Sequence, residues 1–227
     1  MKTLRTTTAV LDFETNGFFG SSVLSISVRK DNGETFSRYY FPVEAYNEKA
    51  IAVNGLTEEV ITEKRGNASY PLYFSEDTEI VALFEDVKVL VAHNVEFDYS
   101  FLPVQVKEME MEIFCTMKSQ THKFHKNMSL KDTAEFYEIE FNTELAHGSD
   151  YDTLICEMIY NKISDKVFTK DYLRKVFAGR NSEGEMIFPF GSLSGKTAAE
   201  LTKEERETFL SKFTAQTHEM YDLVASL

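Results

Sequence analysis

Thr6-Thr7-Thr8-Ala9-Val10-Leu11-Asp12-Phe13-Glu14-Thr15-Asn16-Gly17 is the stretch that decides how the rest of the chain is read. From Thr6 to Phe13 it is β-branched and apolar, a composition that favours a strand, and the run ends at a glycine. Two carboxylates stand two positions apart inside it. Successive side chains of a strand point to opposite faces, so Asp12 and Glu14 share one face. Neighbouring acids at a strand end repel each other and resist ionisation unless a positive charge stands between them. Hard divalent cations meet that need, because Mg²⁺ and Mn²⁺ take carboxylate oxygens. A solvated strand end running into a glycine turn accounts for the same residues without a metal.

Working outward, Val23–Arg29 alternates and Thr35–Phe41 is rich in aromatics, with the tight-turn signal Asp31-Asn32-Gly33 between them. The chain therefore opens with three strands in an antiparallel meander. Ser75 is positioned to cap a helix to about Asp86, with Ile80, Val81, Leu83 and Phe84 as its buried stripe. Val87–Ala92 reads as a buried strand, and Asn94–Met109 as a helix bent near Pro103. Ser129 to Asp132 is a capping-box pattern opening a helix to about Tyr137, and Ser149 with Asp152 repeats it at the head of a helix to Ile163. Strands followed by helix, strand and helices give an α/β class with a mixed sheet. Beyond a boundary near residue 165 the character changes. Phe168–Ala178 reads as a helix, Phe188–Lys196 as an aromatic turn segment, and Thr202-Lys203-Glu204-Glu205 opens a last helix. This divides the chain into residues 1–165 and a small C-terminal extension, 166–227.

Of the 227 residues, 43% are apolar and 27% charged, which excludes a disordered chain. No run approaches the ~18 apolar residues of a membrane span. Met1-Lys2-Thr3-Leu4-Arg5 leads into no apolar core of the secretory kind. Cys115 and Cys156 form neither a disulfide framework nor a Cys-x-x-Cys pair. A cytoplasmic location without membrane contact is the expectation. The net charge of −13 is uneven: residues 166–227 hold 9 Lys+Arg and 9 Asp+Glu, and residues 1–165 hold 15 and 28. So acidic a segment repels nucleic acid in bulk, and chemistry on nucleic acid needs local basic contacts or divalent cations. Lys118, His122, Lys123, His125, Lys126 and Lys131, with Phe124 among them, suit a phosphate backbone and a stacked base, or simply a solvated loop.

Two further segments carry candidate chemistry. In Val91-Ala92-His93-Asn94-Val95-Glu96-Phe97-Asp98 a strand turns into a helix, and Asp98 falls in the first turn, where the helix dipole favours a carboxylate in any case. Asn94 suits a cap and His93 a core or turn position. In Ala146-His147-Gly148-Ser149-Asp150-Tyr151-Asp152 a histidine on a loop beside acids is either a surface residue or a general base.

Taken in order, Asp-x-Glu, His-Asn-x₃-Asp and His-x₄-Asp resemble the DEDDh family of 3′–5′ exonucleases. That family includes the epsilon proofreading subunit of bacterial DNA polymerase III, the proofreading domain of PolC, RNase T and the TREX nucleases. Ala52-Val53-Asn54-Gly55-Leu56-Thr57, and the stretch from Met128 to Ile139, resemble its linking segments, so the likeness spans roughly residues 7–163. The resemblance implies a ribonuclease-H-like fold: a mixed five-stranded sheet flanked by helices. It implies that Asp12, Glu14, Asp98 and Asp152 hold two Mg²⁺ or Mn²⁺ ions, about 4 Å apart, and that His147 takes the proton of the attacking water. Thr15, Asn16, Gly17, Asn94 and Phe97 then lie against the terminal nucleotide. The implied product is a nucleoside 5′-monophosphate cut from a DNA 3′ end, with RNA and a DNA polymerase subunit as further partners. Two alternatives stand beside it: an exoribonuclease of RNase T or oligoribonuclease type, and a non-catalytic module binding a polymerase or nucleic acid. Asn16 stands where many relatives have Thr. Phe18 and Phe19 suit a wedge against a terminal base pair or, the preferred reading, the core. Cys156 reads as a small buried residue. Phe188-Pro189-Phe190-Gly191 with Gly195-Lys196 resembles an element appended to some bacterial exonuclease-like proteins, and its spacing is not that of a P-loop.

Overall fold

The computed structural model of the chain describes residues 7–18, 20–120, 127–163, 179–188, 191–212 and 220–227. Phe19, the basic run 121–126, the helix read over 168–178 and Pro189-Phe190 lie outside them. The described residues fall into two compact units, those up to Phe101 together with those from Glu110 to Ile163, and those of Leu102–Met109 together with those from Gly179 onward.

The first unit begins with strands β1 (Thr7–Thr15), β2 (Val23–Lys30) and β3 (Thr35–Tyr39). They form the expected antiparallel meander, joined at β2–β3 by the turn at Gly33, whose φ of +93° suits a residue without a Cβ. Helices α1 (Glu48–Asn54), α2 (Glu58–Arg65) and α3 (Glu79–Ala82) follow, then β4 (Val87–Ala92) and α4 (Val95–Phe101). After Pro103 comes α5 (Val104–Lys107), which belongs to the second unit. Strand β5 (Glu112–Cys115), α6 (Leu130–Phe136) and α7 (Ser149–Lys162) complete the first unit.

The sheet order is β3-β2-β1-β4-β5, with β4 parallel to both β1 and β5. The mixed five-stranded sheet flanked by helices is therefore as expected, with β1 at its centre. Period-2 alternation sorts β1 cleanly. Phe13 packs edge-on against Phe74, with ring centroids 5.4 Å apart. Val10 faces the other way, into a core shared with Val89, Val91, Phe114 and the α7 residues Ile155, Cys156, Ile159 and Ile163. Asp12 and Glu14 continue the face of Val10 and end under the start of α7.

Two local expectations are corrected. The helix expected from Ser75 to Asp86 is a single 3₁₀ turn, Phe74–Glu76, followed by the short α3. Between them the buried Asp77 takes extended angles, because its carboxylate accepts from Arg38 Nη1 at 2.5 Å, Tyr40 OH at 2.7 Å and the Glu79 N–H at 3.1 Å. Ser149 does not cap α7: Gly148 holds the cap position without a side-chain bond, and the Ser149 hydroxyl goes to Ser25 instead.

In the second unit a two-stranded hairpin, β6 (Gly179–Arg180) and β7 (Met186–Ile187), precedes α8 (Lys203–Lys212) and α9 (Tyr221–Ala225). Its own core gathers Phe188, Ala198, Leu201, Phe209, Met220 and Val224. Helix α8 opens with the expected reciprocal cap, Glu205 N–H to Thr202 Oγ1 at 3.2 Å and Thr202 N–H to Glu205 Oε2 at 2.9 Å.

Candidate active site

Four carboxylates from three separate segments converge at the C-terminal end of β1. Asp12 and Glu14 come from the strand, Asp98 from the first turn of α4 and Asp152 from the first turn of α7. The Phe13 N–H donates to Asp98 Oδ1 at 3.0 Å across 85 residues of sequence, which fixes α4 against β1. The His147 N–H donates to Asp152 Oδ2 at 3.2 Å. One ligand atom each of Glu14, His147 and Asp152 lies within 4.8 Å of the others. Asp12 and Asp98 stand outside that tight trio and act on it through their charge.

Electrostatics mark the cluster as short of positive charge. Withdrawal from water raises Asp12 well above the usual carboxylate range, and Asp152 adds to the effect. Glu14 is pushed up to about 10 by burial and then by Asp12, Asp152 and Asp98. Asp98 is raised by burial and by Asp12, and is held back by the Phe13 N–H. Asp152 is pushed up to about 6 by burial, with His147 opposing. Among the described residues, the buried oxygens Asp12 Oδ2 and Asp152 Oδ1 have no hydrogen-bond partner. Orphaned oxygens on mutually repelling acids are the donor set that hard divalent cations require, so these residues fit such ions.

His147 is exposed and sits at φ +62°, a left-handed backbone held by the turn into α7. Asn94, between β4 and α4, is likewise left-handed at φ +69°. Thr15 is buried, and its hydroxyl donates to Gly17 O at 2.5 Å. The Asn16 carboxamide is buried and donates to Glu44 Oε1 at 3.0 Å and Ala45 O at 2.9 Å, while its oxygen accepts from the Asn47 N–H at 2.9 Å. Phe97 is half-buried and meets Phe101 edge-on, centroids 5.0 Å apart. Asn16, Gly17, Phe18, Glu44, Ala45 and Asn47 line a cavity of about 470 Å³. Phe18 is 85% exposed on its wall, so the reading of that ring as core is overturned. Cys156 is buried, as expected, with Sγ 3.6 Å from Thr116 Oγ1.

One residue escaped the motif reading. Asn54, the last residue of α1, donates from Nδ2 to Thr15 O at 3.1 Å, accepts the Leu56 N–H at 3.0 Å, and bonds the Glu14 carboxyl. Its signal lay in the linking segment, where Asn54 precedes a left-handed Gly55 at φ +69°.

The family model for the RNase T exonucleases, described as "Exonuclease", matches residues 9–160, more than half of the chain. A PolC-type DNA polymerase III of Ureaplasma parvum serovar 3 is 23% identical over 176 residues, covering 71% of this chain and 12% of that protein. The chain thus spans about a tenth of that relative's length. Among solved structures, exonuclease I shares the fold with a TM-score of 0.53 and 13% identity, over 71% of this chain and 41% of that one. A 3′-exonuclease in 3′-end-specific recognition of a histone mRNA stem-loop does so with a TM-score of 0.50 and 11% identity, over 84% and 93%. The ordered acids, the mixed sheet that gathers them and the family match lead to one conclusion: this chain belongs to the DnaQ-like, or DEDDh, family of 3′–5′ exonucleases.

Proposed function

We propose that the protein removes nucleotides from DNA 3′ ends as nucleoside 5′-monophosphates, with Asp12, Glu14, Asp98 and Asp152 holding two divalent cations, Mg²⁺ or Mn²⁺, and His147 as general base. The observation that carries this reading is the convergence of four carboxylates that burial and, for three of them, neighbouring acids raise above the usual carboxylate range, with the Phe13 N–H, Asn54 and His147 offsetting only part of that effect. Bound cations supply charge neutralisation at the scissile phosphate and its oxygens. The protein's own part is to hold the acids in place, to offer a ring nitrogen of His147 for the water's proton, and to seat the terminal nucleoside. For that last task the cavity beside Gly17 has a suitable size, and the bare Phe18 ring offers a stacking face. Asn16 and Gly17 line that cavity, and Thr15 beside them in the chain, with Asn94 and Phe97 at the start of α4, are the further residues proposed to meet the terminal nucleotide. The likeness to a DNA polymerase favours DNA over RNA and makes a polymerase subunit the partner to test.

End-labelled single-stranded DNA and RNA of matched sequence, digested with Mg²⁺, Mn²⁺ or EDTA, test the proposal. The expected result is metal-dependent release of mononucleotides from the 3′ end of DNA. Activity should fall at least a thousandfold in Asp12→Ala and His147→Ala, and Phe18→Ala should raise KM several-fold with little change in kcat. Preferential digestion of RNA would replace DNA by RNA as substrate. Unchanged cleavage by Asp12→Ala would overturn the site, and no cleavage with any metal would leave a binding module.

A further inference from the structure

Helix α7 meets strand β2 through a ladder of polar rungs. Ser25 Oγ lies 3.0 Å from Ser149 Oγ, Ser27 Oγ lies 3.2 Å from Thr153 Oγ1, and Arg29 Nε donates to Glu157 Oε2 at 3.0 Å. The first two rungs are buried. The spacing has a geometric basis: two strand residues advance about 6.7 Å and four helix residues about 6.0 Å, so a strand read every second residue matches a helix read every fourth. Ser37 on β3 extends the middle rung, with its hydroxyl 3.2 Å from Ser27 Oγ and a short bond to Asp150.

The rungs are in register with the candidate ligands. Across β1 and β2, Glu14 pairs with Ser25 and Asp12 pairs with Ser27. On the helix, Ser149 and Thr153 lie three residues before and one after Asp152. Both ends of each hydroxyl pair are thus next to a carboxylate of the site. At this end of α7 the Ser37–Asp150 bond and the Asn142 N–H to Tyr151 OH at 2.5 Å also hold the helix, but Gly148 gives no side-chain cap, and among the described residues Asp152 has one protein bond, from the His147 N–H, with Oδ1 unpartnered. The place of the Asp152 carboxylate is therefore set by where the helix end lies on β2. Further along, α7 packs through apolar side chains, which tolerate sliding; a hydroxyl pair is directional and does not.

We propose that Ser25, Ser27, Ser149 and Thr153 are positioning residues that set Asp152 against Asp12 and Glu14, and so set the affinity of the site for divalent cations. The proposal rests on the reading of those acids as cation ligands. The test is Mn²⁺ binding to the full chain, followed by electron paramagnetic resonance of free Mn²⁺, with thermal melting in EDTA alongside. Thr153→Val keeps the side-chain shape and removes the hydroxyl. Thr153→Ser keeps the hydroxyl. Ser25→Ala with Ser149→Ala removes both partners of one rung and leaves no orphaned group. The expected result is Mn²⁺ binding weaker by 10-fold or more in Thr153→Val and in the double alanine variant, in the range typical of groups that orient metal ligands, with Thr153→Ser within about twofold of the parent. Equal Mn²⁺ affinity in all four proteins would overturn the positioning role even if melting drops, since a merely structural rung would move melting alone. Absence of Mn²⁺ binding by the parent protein would instead overturn the cation reading on which it stands.

Discussion

At the scale of single residues, His93 shows how burial settles a protonation state. Its Nδ1 lies 2.9 Å from Thr116 Oγ1 and its Nε2 lies 3.1 Å from Met128 O. A carbonyl oxygen only accepts, so Nε2 carries the proton and Nδ1 accepts from the threonine hydroxyl. Burial pushes the ring down to about 4, against the opposing pull of the Met128 carbonyl. The folded value lies below the unfolded one of about 6.5, so the contribution of His93 to stability is complete above pH 6.5 and lost as pH falls towards 4. Ring nitrogen shifts followed by NMR should show an Nε2–H tautomer that does not titrate between pH 8 and 5; a midpoint near 6.5 would contradict this environment. His93 thus does structural work beside the site, in keeping with the core or turn position its sequence context suggested. Phe18 went the other way: aromatic character suggested the core, and only the loop's backbone, anchored by Asn16 on Glu44 and Ala45, turns the ring outward.

At the scale of elements, local chemistry reads well where an element's ends are fixed by its own residues. Ser129 accepts the Asp132 N–H at 3.1 Å at the head of α6, as its spacing implied. Replacing it by alanine should cost about 1 kcal/mol in urea unfolding, and aspartate should recover most of that. No loss in Ser129→Ala would mean that packing alone places the helix. The hairpin turn, β4 and the start of α8 were legible for the same reason, whereas the bend expected near Pro103 in a single helix is a break between two short ones, α4 and α5. Elements held by distant partners were not legible. Asp77 ends its helix for the sake of Arg38 and Tyr40, and Ser149 gives up a capping bond for Ser25, 124 residues away. Helix α1 buries none of its residues, so no apolar stripe announced it. Strand β5 is four residues long, too short for alternation to declare itself; the family likeness, rather than the pattern, supplied the fifth strand. The acids that converge at the end of β1 were legible as an ordered set, while Asn54 showed only in the linking segment before Gly55 and the serine rungs carry no local signature.

At the scale of the whole molecule, the same acids set the response to pH and metal. Glu14 at about 10 and Asp152 at about 6 lie above the ordinary range near 4, so the folded chain keeps protons that the unfolded chain releases. Without cations, stability should therefore fall as pH rises from about 4 through these values. A divalent cation at 100 times its Kd should restore about 2.7 kcal/mol, roughly 5–10 °C in melting temperature. The Mn²⁺-induced rise in melting temperature should accordingly be larger at pH 8 than at pH 5, and EDTA should abolish it; equal rises at both pH values would show that the cation binds elsewhere. The order of segments around β1 also has a consequence in time. Asp12 and Glu14 are made early, Asp98 some eighty residues later and Asp152 last, in the helix that closes the first unit. At ribosomal speed that interval is on the order of ten seconds. A nascent chain therefore carries these acids on separate segments until α7 is made, and the four-carboxylate cluster of the proposed site assembles only when the first unit can close.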